Sequence, residues 1–224
     1  MKPSLPLFLK VSMMLTSFYL VLLLALFLPA QTWHYHYGWM YFITFVLGTS
    51  ILTFYFLKVN PALIERRTQV EKEAAQILIQ ALNGLSFIVL LILPGLDFRN
   101  HWSVVPEWMA IAADILVAVG FIIVFMVFKQ NSYLASNIGT SPGQTVVSDG
   151  LYGLVRHPMY SGAYLIILFT PFALGSYWAL IPAFIIAILI YLRAKNEEMV
   201  LSRDLAGYDA YLQKVRYRFV PYIF

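Results

Sequence analysis

A polar loop between Gln144 and Gly162 holds the residues of this sequence that are best suited to binding. Asp149-Gly150 is a typical turn dipeptide, and the only Arg-His pair, Arg156-His157, stands directly before Pro158. Proline fits the first turn of a helix and moves the preceding residue out of helical geometry. We therefore predict a helix that begins at Pro158 and presents open backbone N–H groups at residues 159–161. Such an end attracts anions, so this loop is a candidate cradle for a small anion or a cofactor.

A second polar segment, after the last apolar region, carries the adjacent carboxylates Glu197 and Glu198. On a helix, Arg193 and Glu197 lie one turn apart on the same face, whereas Glu198 is rotated away by about 100°. If this helix end meets the loop at the membrane surface, basic, aromatic and acidic side chains surround one aqueous notch. Two simpler interpretations stay open. The loop is then an ordinary basic juxtamembrane loop, and the acidic segment is a helix end whose long side chains reach into water.

The composition is that of an integral membrane protein. Of 224 residues, 61% are hydrophobic and 12% are charged, whereas a soluble domain carries about 25% charged residues. Cysteine is absent, which excludes disulfides, cysteine metal sites and a cysteine nucleophile. We expect no metal site, since His34 and His36 lack a nearby carboxylate and are ordinary residues of the membrane interface. We also expect no nucleic-acid partner.

Four apolar stretches, roughly 7–29, 38–57, 76–96 and 107–128, reach the length of about 20 residues that a transmembrane helix needs. A fifth apolar region, about 159–192, is interrupted at Gly175-Ser176 and predicts a helical hairpin that spans the bilayer or is partly re-entrant. Lipid offers backbone groups no partners, so every span is predicted to be helical. The predicted fold class is therefore all-α: a polytopic helical membrane protein with four transmembrane helices, a C-terminal hairpin, a cytoplasmic loop and a tail. We expect one membrane domain over 1–224, with N-terminal transmembrane helices in 1–128 and the candidate catalytic and cofactor-binding region in 129–224.

The basic residues predict the orientation of the chain. With the N-terminus inside and each span crossing once, all fifteen lysine and arginine residues except Arg99 lie on the cytoplasmic side. This is the bias of the positive-inside rule. Both termini and the Arg156-His157 loop are then cytoplasmic, and a bacterial inner membrane is the expected location.

Two further features leave alternatives open. Asp114, early in the fourth span, is either functional, because acids are costly in lipid, or close enough to the helix end to reach the outer interface. The tail from Leu205 to Tyr222 predicts an amphipathic helix followed by a basic, aromatic end. It either caps the notch or lies on anionic lipid.

Several motifs follow one another in order: Gly150-Leu-Tyr152, Arg156-His157-Pro158-x-Tyr160-x-Gly162, Arg193-x-x-x-Glu197-Glu198, and Gly207-Tyr208-x-x-Tyr211 with Arg216-Tyr-Arg-x-x-Pro221. In this order they resemble the isoprenylcysteine carboxyl methyltransferase family, within the broader group of membrane phospholipid methyltransferases. The resemblance is best over about 130–224, and Asn60-Pro61 with Glu65-Arg66 is also similar to bacterial members. Eukaryotic members usually have more spans and a longer acidic run than Glu197-Glu198. This difference bears on the identity of the substrate more than on that of the cofactor.

The resemblance implies an S-adenosyl-L-methionine-dependent methyltransferase at the cytoplasmic face, acting on a lipophilic carboxylate, a lipid or an isoprenoid-like small molecule. The implied cofactor-binding residues are Asn137, Gln144, Thr145, Val146, Val147, Tyr152, His157, Pro158, Met159, Tyr160 and Glu198. Arg193 and Glu197 are the implied catalytic residues on the substrate side. Arg193 would hold a carboxylate substrate with Glu197 orienting it, whereas an amine substrate would make Glu197 the proton acceptor.

Two other functions stay open. Sterol reductases look similar in their C-terminal helical region, so a membrane NADPH-dependent reductase of sterol-reductase-like fold is one alternative. A non-enzymatic lipid-binding scaffold with the same fold is the other. In every case the expected partners are the bilayer and a lipophilic molecule, and the sequence does not predict an oligomeric state.

Overall fold

The computed structural model describes residues 4–68, 74–134 and 143–223, and these ranges consist of helices and turns. Asn137, one of the expected cofactor residues, lies outside the described residues. The helices, in chain order, are α1 (Leu5–Ala30), α2 (His36–Val59), α3 (Pro61–Arg67), α4 (Ala74–Asn100), α5 (Glu107–Gln130), α6 (Pro158–Ala173), α7 (Leu180–Asp204) and α8 (Tyr208–Lys214). A short 3₁₀ turn, Gly150–Gly153, lies between α5 and α6.

Four helices, α1, α2, α4 and α5, are long and apolar enough to cross a membrane. At 1.5 Å per residue they are roughly 36–40 Å long, which exceeds the roughly 30 Å of a hydrocarbon core. Their outer faces carry large apolar side chains, such as Leu20, Leu47 and Leu85, that are more than half exposed. The four predicted spans and the all-α fold class are confirmed, and the chain is an integral membrane protein.

The last apolar region folds as the predicted hairpin, with α6 and α7 joined through Gly175-Ser176. Gly175 has a φ of 72°, a left-handed conformation that glycine adopts without steric cost. The polar end of the second arm was not part of the expected hairpin: α7 continues past Leu192 to Asp204. The additional three turns carry Arg193, Glu197 and Glu198 beyond the apolar part of the helix.

The hairpin is packed against α5 at backbone distance. A Cβ atom on Gly120 would lie 2.7 Å from the carbonyl oxygen of Gly162, and one on Gly162 would lie 2.8 Å from the carbonyl oxygen of Gly120. Small residues allow such close approach between helices in lipid, where packing rather than water drives association. This pair therefore fixes the position of α6, whose first turn forms part of the site described below.

A buried carboxylate fixes the opposite end of the hairpin. Asp97 in the last turns of α4 is 1% exposed; it accepts hydrogen bonds from the Ser103 amide at 2.7 Å and the Ser103 hydroxyl at 2.6 Å. Ser176, at the turn of the hairpin, also donates to Asp97. Together these bonds tie α4, the following loop and the hairpin turn to one another.

Asp114 faces the interior of the helix bundle rather than the outer interface. It is 6% exposed, and its Oδ2 atom accepts a 2.6 Å hydrogen bond from the hydroxyl of Thr44 on α2. The alternative in which this side chain reaches the membrane surface is therefore wrong. The observed bond joins α5 to α2.

The glycine contact predicts a large difference between two otherwise identical substitutions. Gly162→Ala places a methyl group 2.8 Å from a backbone oxygen, whereas a Cβ on Gly84 of α4 meets nothing within 4 Å. We expect Gly162→Ala to destabilise the protein by about 1–3 kcal/mol, and Gly84→Ala to leave stability unchanged or slightly raised. Thermal unfolding in detergent measures both, and equal melting temperatures would contradict the proposed packing.

The absence of cysteine makes the predicted orientation directly testable with single-cysteine variants. Leu154 in the loop before α6 is 54% exposed, and Val104 between α4 and α5 is 86% exposed. We expect a membrane-impermeant maleimide to label Val104→Cys on intact cells, and Leu154→Cys only after the membrane is opened. The reverse pattern would invert the topology, and the cysteine-free parent chain is the control.

Candidate active site

The polar loop is anchored to the C-terminal end of α5. Gly150 has a φ of 50° and starts the 3₁₀ turn, and a Cβ there would lie 2.3 Å from Nε2 of Gln130. The same glutamine accepts a 3.1 Å hydrogen bond from the amide of Leu151 through Oε1. The turn expected at Asp149-Gly150 is therefore present, and its left-handed backbone conformation favours glycine.

The start of α6 has the predicted form. His157 has φ −127° and ψ 65°, outside helical geometry, and Pro158 is the first helical residue. One detail differs from the expectation, because the amide of Ser161 is not open: it donates to the carbonyl of His157 at 3.1 Å. The free end of the helix is thus limited to its first residues.

The C-terminal tail is bound to the loop along its backbone. The amide of Arg156 donates to the carbonyl of Tyr217 at 2.9 Å, and the amide of His157 donates to that of Arg218 at 3.0 Å. The hydroxyl of Ser161 donates to the carbonyl of Phe219 at 2.6 Å. Of the two open interpretations of the tail, the structure therefore shows the one in which it packs on the site.

Glu198 is the side chain at which α7, the loop and the tail meet. Arg156 Nε lies 2.7 Å from Oε1, Arg218 Nη2 lies 2.8 Å from Oε2, and His157 Nε2 lies 3.2 Å from Oε1. Burial alone would raise the pKa of this carboxyl, but hydrogen bonds from His157 and Arg218 and the charge of Arg156 outweigh it and lower the pKa to about 2. We call this set of four side chains the Glu198 clamp.

A cavity of about 390 Å³ lies beside the Glu198 clamp, within the size range of small-molecule sites. Ten of the residues expected at the site line it: Gln144, Thr145, Val146, Val147, Tyr152, His157, Met159, Tyr160, Arg193 and Glu197. Pro158 and Glu198 do not belong to the lining. Proline's role is to start α6, and the carboxylate of Glu198 is directed to the basic residues of the clamp instead of to the cavity.

The polar wall of the cavity is formed by one face of α7. Arg193, Glu197, Leu201 and Leu205 follow one another at intervals of four residues along this wall. Glu197 Oε2 accepts a 2.9 Å hydrogen bond from the hydroxyl of Tyr160 and lies 3.9 Å from Nδ1 of His157. Arg193 Nη1 donates to Oε1 of Gln76 on α4 at 3.1 Å, a partner that the sequence did not suggest.

Tyrosines close the cavity on the side of the tail. Tyr208 and Tyr211 of α8 and Tyr152 of the loop line it, and Tyr211 donates to the carbonyl of Tyr152 at 2.8 Å. The side-chain Nδ2 of Asn131 donates to the hydroxyl of Tyr152 at 3.0 Å. Burial raises the pKa of all three phenols, so these rings are neutral near pH 7. They present aromatic faces and hydroxyl groups to whatever occupies the cavity.

Sequence reasoning missed several lining residues. The largest omission is a polar row on α4, where Gln76, Gln80 and Asn83 recur at helical spacing in an otherwise apolar span; the period alone could have identified it. Arg67 of α3 was not assigned to the site, and burial lowers its pKa. The remaining missed residues of the lining are Asn131, Tyr133, Leu134, Leu201 and Leu205. Arg156, Tyr208 and Tyr211 also line the cavity; the first belongs to the loop expected at the notch and the other two to the tail that was one candidate to cap it.

The Glu198 clamp predicts a stability effect that a surface ion pair does not have. Glu198→Gln leaves Arg156 and Arg218 without a counter-charge, and breaking a buried pair costs about 3–5 kcal/mol. Asp204→Asn on the same helix breaks an ion pair with Arg203, whose side chain is 73% exposed, and should leave stability nearly unchanged because water screens exposed ion pairs. Denaturant unfolding in detergent compares the two, and equal losses would contradict a structural role for the clamp.

The lowered pKa of Glu198 gives this effect a pH dependence. The folded-state pKa lies below the usual value of about 4.3, so the stabilisation is complete above that pH and is lost as the pH falls towards 2. Glu198→Gln should lack this part of the acid-induced loss.

Comparison with known proteins agrees with this geometry. A family model described as phospholipid methyltransferase matches residues 108–206, which include the loop, the hairpin and the polar end of α7. The mouse (Mus musculus) Delta(14)-sterol reductase is 30% identical over 91 residues, which make up 39% of this chain and 22% of the reductase. The chain therefore spans about a fifth of the length of that curated relative. The part of this integral membrane protein that forms the site, residues 108–206, is therefore similar to the phospholipid methyltransferase family.

Proposed function

We propose that the protein is an S-adenosyl-L-methionine-dependent methyltransferase that acts on a lipophilic acceptor at the cytoplasmic face of the membrane. The observation that carries this proposal is the convergence of the loop, the polar end of α7 and the tail on one cavity of about 390 Å³. The family match over residues 108–206 supports the reaction class. The one-sided distribution of lysine and arginine supports the cytoplasmic orientation.

The residues of the cavity fit the chemical groups of this cofactor. S-adenosyl-L-methionine has a carboxylate, two cationic centres and an aromatic base. Residues 144–147 and the first turn of α6 offer polar backbone and an anion-attracting helix end, and Glu197 supplies negative charge to the cavity. Tyr152, Tyr208 and Tyr211 supply ring faces, which attract cations and stack on aromatic bases.

The chemistry requires alignment more than acid or base strength. When bound, S-adenosyl-L-methionine supplies an electrophilic methyl group: the acceptor's lone pair forms the new bond to carbon, while the sulfur–carbon bond breaks and its electron pair stays on sulfur. Leu201, Leu205 and the tyrosines of α8 exclude water from the cavity.

The role of the α7 residues depends on the acceptor. A carboxylate acceptor needs no base, and Arg193, held by Gln76, would bind it. An amine acceptor must lose a proton, and Glu197 would accept it. In both cases the apolar part of the acceptor stays in the bilayer beside the membrane-embedded helices.

The similarity to a sterol reductase favours one second candidate, a membrane reductase that uses a nicotinamide cofactor. The supporting observation is the 30% identity over 91 residues. This candidate requires the same cavity to accept a dinucleotide, so the two proposals make opposite predictions about which cofactor stabilises the protein.

The methyltransferase proposal is tested by cofactor binding and by methyl transfer. We expect calorimetry on detergent-purified protein to show binding of S-adenosyl-L-methionine, and tritiated methyl groups from this cofactor to appear in the lipid extract of protein-containing membranes. Glu197→Gln removes the negative charge that faces the cavity and should weaken cofactor binding by about tenfold, since hydrogen bonds to charged groups contribute roughly 1.5–3 kcal/mol.

Arg203→Ala is the matched control, because this exposed residue of α7 is not part of the lining and should bind the cofactor like the wild type. Absence of binding by the wild type would refute the proposal. Protection from thermal unfolding by NADPH, with none from S-adenosyl-L-methionine, would instead support the reductase.

A further inference from the structure

The polar row on α4 is unusual for its position. Gln76, Gln80 and Asn83 occupy one face of a helix that is otherwise apolar enough to cross a membrane. An amide group in a low-dielectric environment is destabilising unless it is hydrogen-bonded, and polar residues within transmembrane helices usually have a function. Each of the three therefore needs an explanation.

Arg193 accounts for the side-chain oxygen of Gln76, whereas the side-chain nitrogen of Gln76 is buried without a partner among the described residues. Gln76 is fully buried, and its Oε1 accepts the bond from Arg193, so it positions that guanidinium. Gln80 and Asn83 lie one and two turns farther along α4 and both line the cavity. At 1.5 Å per residue, Asn83 is about 10 Å from Gln76 along the helix axis, towards the centre of the span.

Asn83 has a hydrogen-bonding capacity that the protein does not use. Its side-chain oxygen has almost no solvent-accessible area and meets no hydrogen-bond donor among the described residues. A buried, unpaired amide oxygen costs roughly 1–3 kcal/mol. Because Asn83 lines the cavity, a rotation of its carboxamide that turns the oxygen towards the cavity would let a ligand donate a hydrogen bond to it and remove that penalty.

The side of the cavity formed by α4, the α4 wall, carries no charged side chain among the lining residues. The arginines and Glu197 lie on α3, α7 and the loop, whereas α4 presents two carboxamides to the cavity. Carboxamides both donate and accept hydrogen bonds, which suits a hydroxyl or an amide better than a second charge. Both residues also belong to a helix that is long and apolar enough to cross a membrane, so a lipid tail bound beside them could continue along α4 into the bilayer.

We propose that Gln80 and Asn83 form a specificity subsite for an uncharged hydroxyl or amide group of the acceptor, separate from the group that receives the methyl. This rests on the proposed function for the identity of the occupant, but the subsite can be tested on its own. It identifies the acceptor as a lipid whose head carries a neutral hydrogen-bonding group, and it disfavours a plain alkyl or prenyl chain.

The test uses two probes with the same acyl chain, 1-dodecanoylglycerol, which has two free hydroxyls, and methyl dodecanoate, which has none. Calorimetry on the detergent-purified protein should show that the wild type binds the glycerol ester at least about tenfold more tightly, as expected for one or two additional hydrogen bonds. Asn83→Leu and Asn83→Ala should bring the ratio close to one. Leu82→Gln is the matched control, because Leu82 is the neighbouring residue, 41% exposed on the outer face of α4, and should keep the wild-type ratio.

Affinity for S-adenosyl-L-methionine is measured on every variant. Unchanged cofactor affinity in Asn83→Leu, together with the lost preference, supports the subsite. A wild type that does not distinguish the two probes overturns the proposal, as does a preference that survives in Asn83→Leu and Asn83→Ala. Loss of cofactor binding in Asn83→Leu would assign the α4 wall to the cofactor and would also overturn the subsite. A wild type that never binds the cofactor refutes the proposed function and not the subsite.

Discussion

The bonding of Glu198 to Arg156, Arg218 and His157 is the interaction on which the site depends. These residues come from α7, from the loop before α6 and from the tail, and α6 separates the loop from the other two segments in the sequence. A carboxylate with an exposed fraction of 8% is tolerable only because both oxygens accept bonds from cations. The clamp therefore converts three polar segments at the end of an apolar bundle into one rigid frame around the cavity.

The bilayer explains why the site is built at the end of the bundle. Backbone groups within lipid must be satisfied inside their own helix, so loops, helix starts and charged side chains gather where the spans end. The polar end of α7 extends past the apolar part of that helix and supplies Arg193 and Glu197, while α8 adds an aromatic cover. Among the lining residues that the structure describes, Gln80 and Asn83 are polar side chains of a helix long and apolar enough to span the membrane, which makes the α4 wall different from the rest of the cavity.

Local rules predicted much of this structure. Four apolar stretches predicted four spans, the His157-Pro158 dipeptide predicted where α6 begins, and Gly175-Ser176 predicted the turn of the hairpin. The spacing of Arg193 and Glu197 predicted that both side chains share one helix face, and both line the cavity. Each of these inferences depends on residues within a few positions of one another.

The features that were not predicted depend on contacts between distant segments. The bonds of Glu198 to Arg156 and Arg218 were not predicted, since no local pattern indicates which of two adjacent carboxylates turns towards a tail twenty residues away. Gln76 was read as part of an apolar span, because its partner Arg193 lies 117 positions later in the chain. The polar residues of α4 recur at helical spacing in the sequence, but the high hydropathy of the whole segment led to its interpretation as a purely apolar span.

The contact between Gly120 and Gly162 has a consequence for how a membrane-bound molecule reaches the cavity. Helices that touch through their backbones leave no side chains between them to change rotamer, so α5 and α6 should move as a single body. Contact between α4 and α7 runs through side chains such as Leu90 and Ile186 instead, which can rearrange without separating the helix axes. A membrane-bound molecule can therefore pass more easily between α4 and α7 than between α5 and α6.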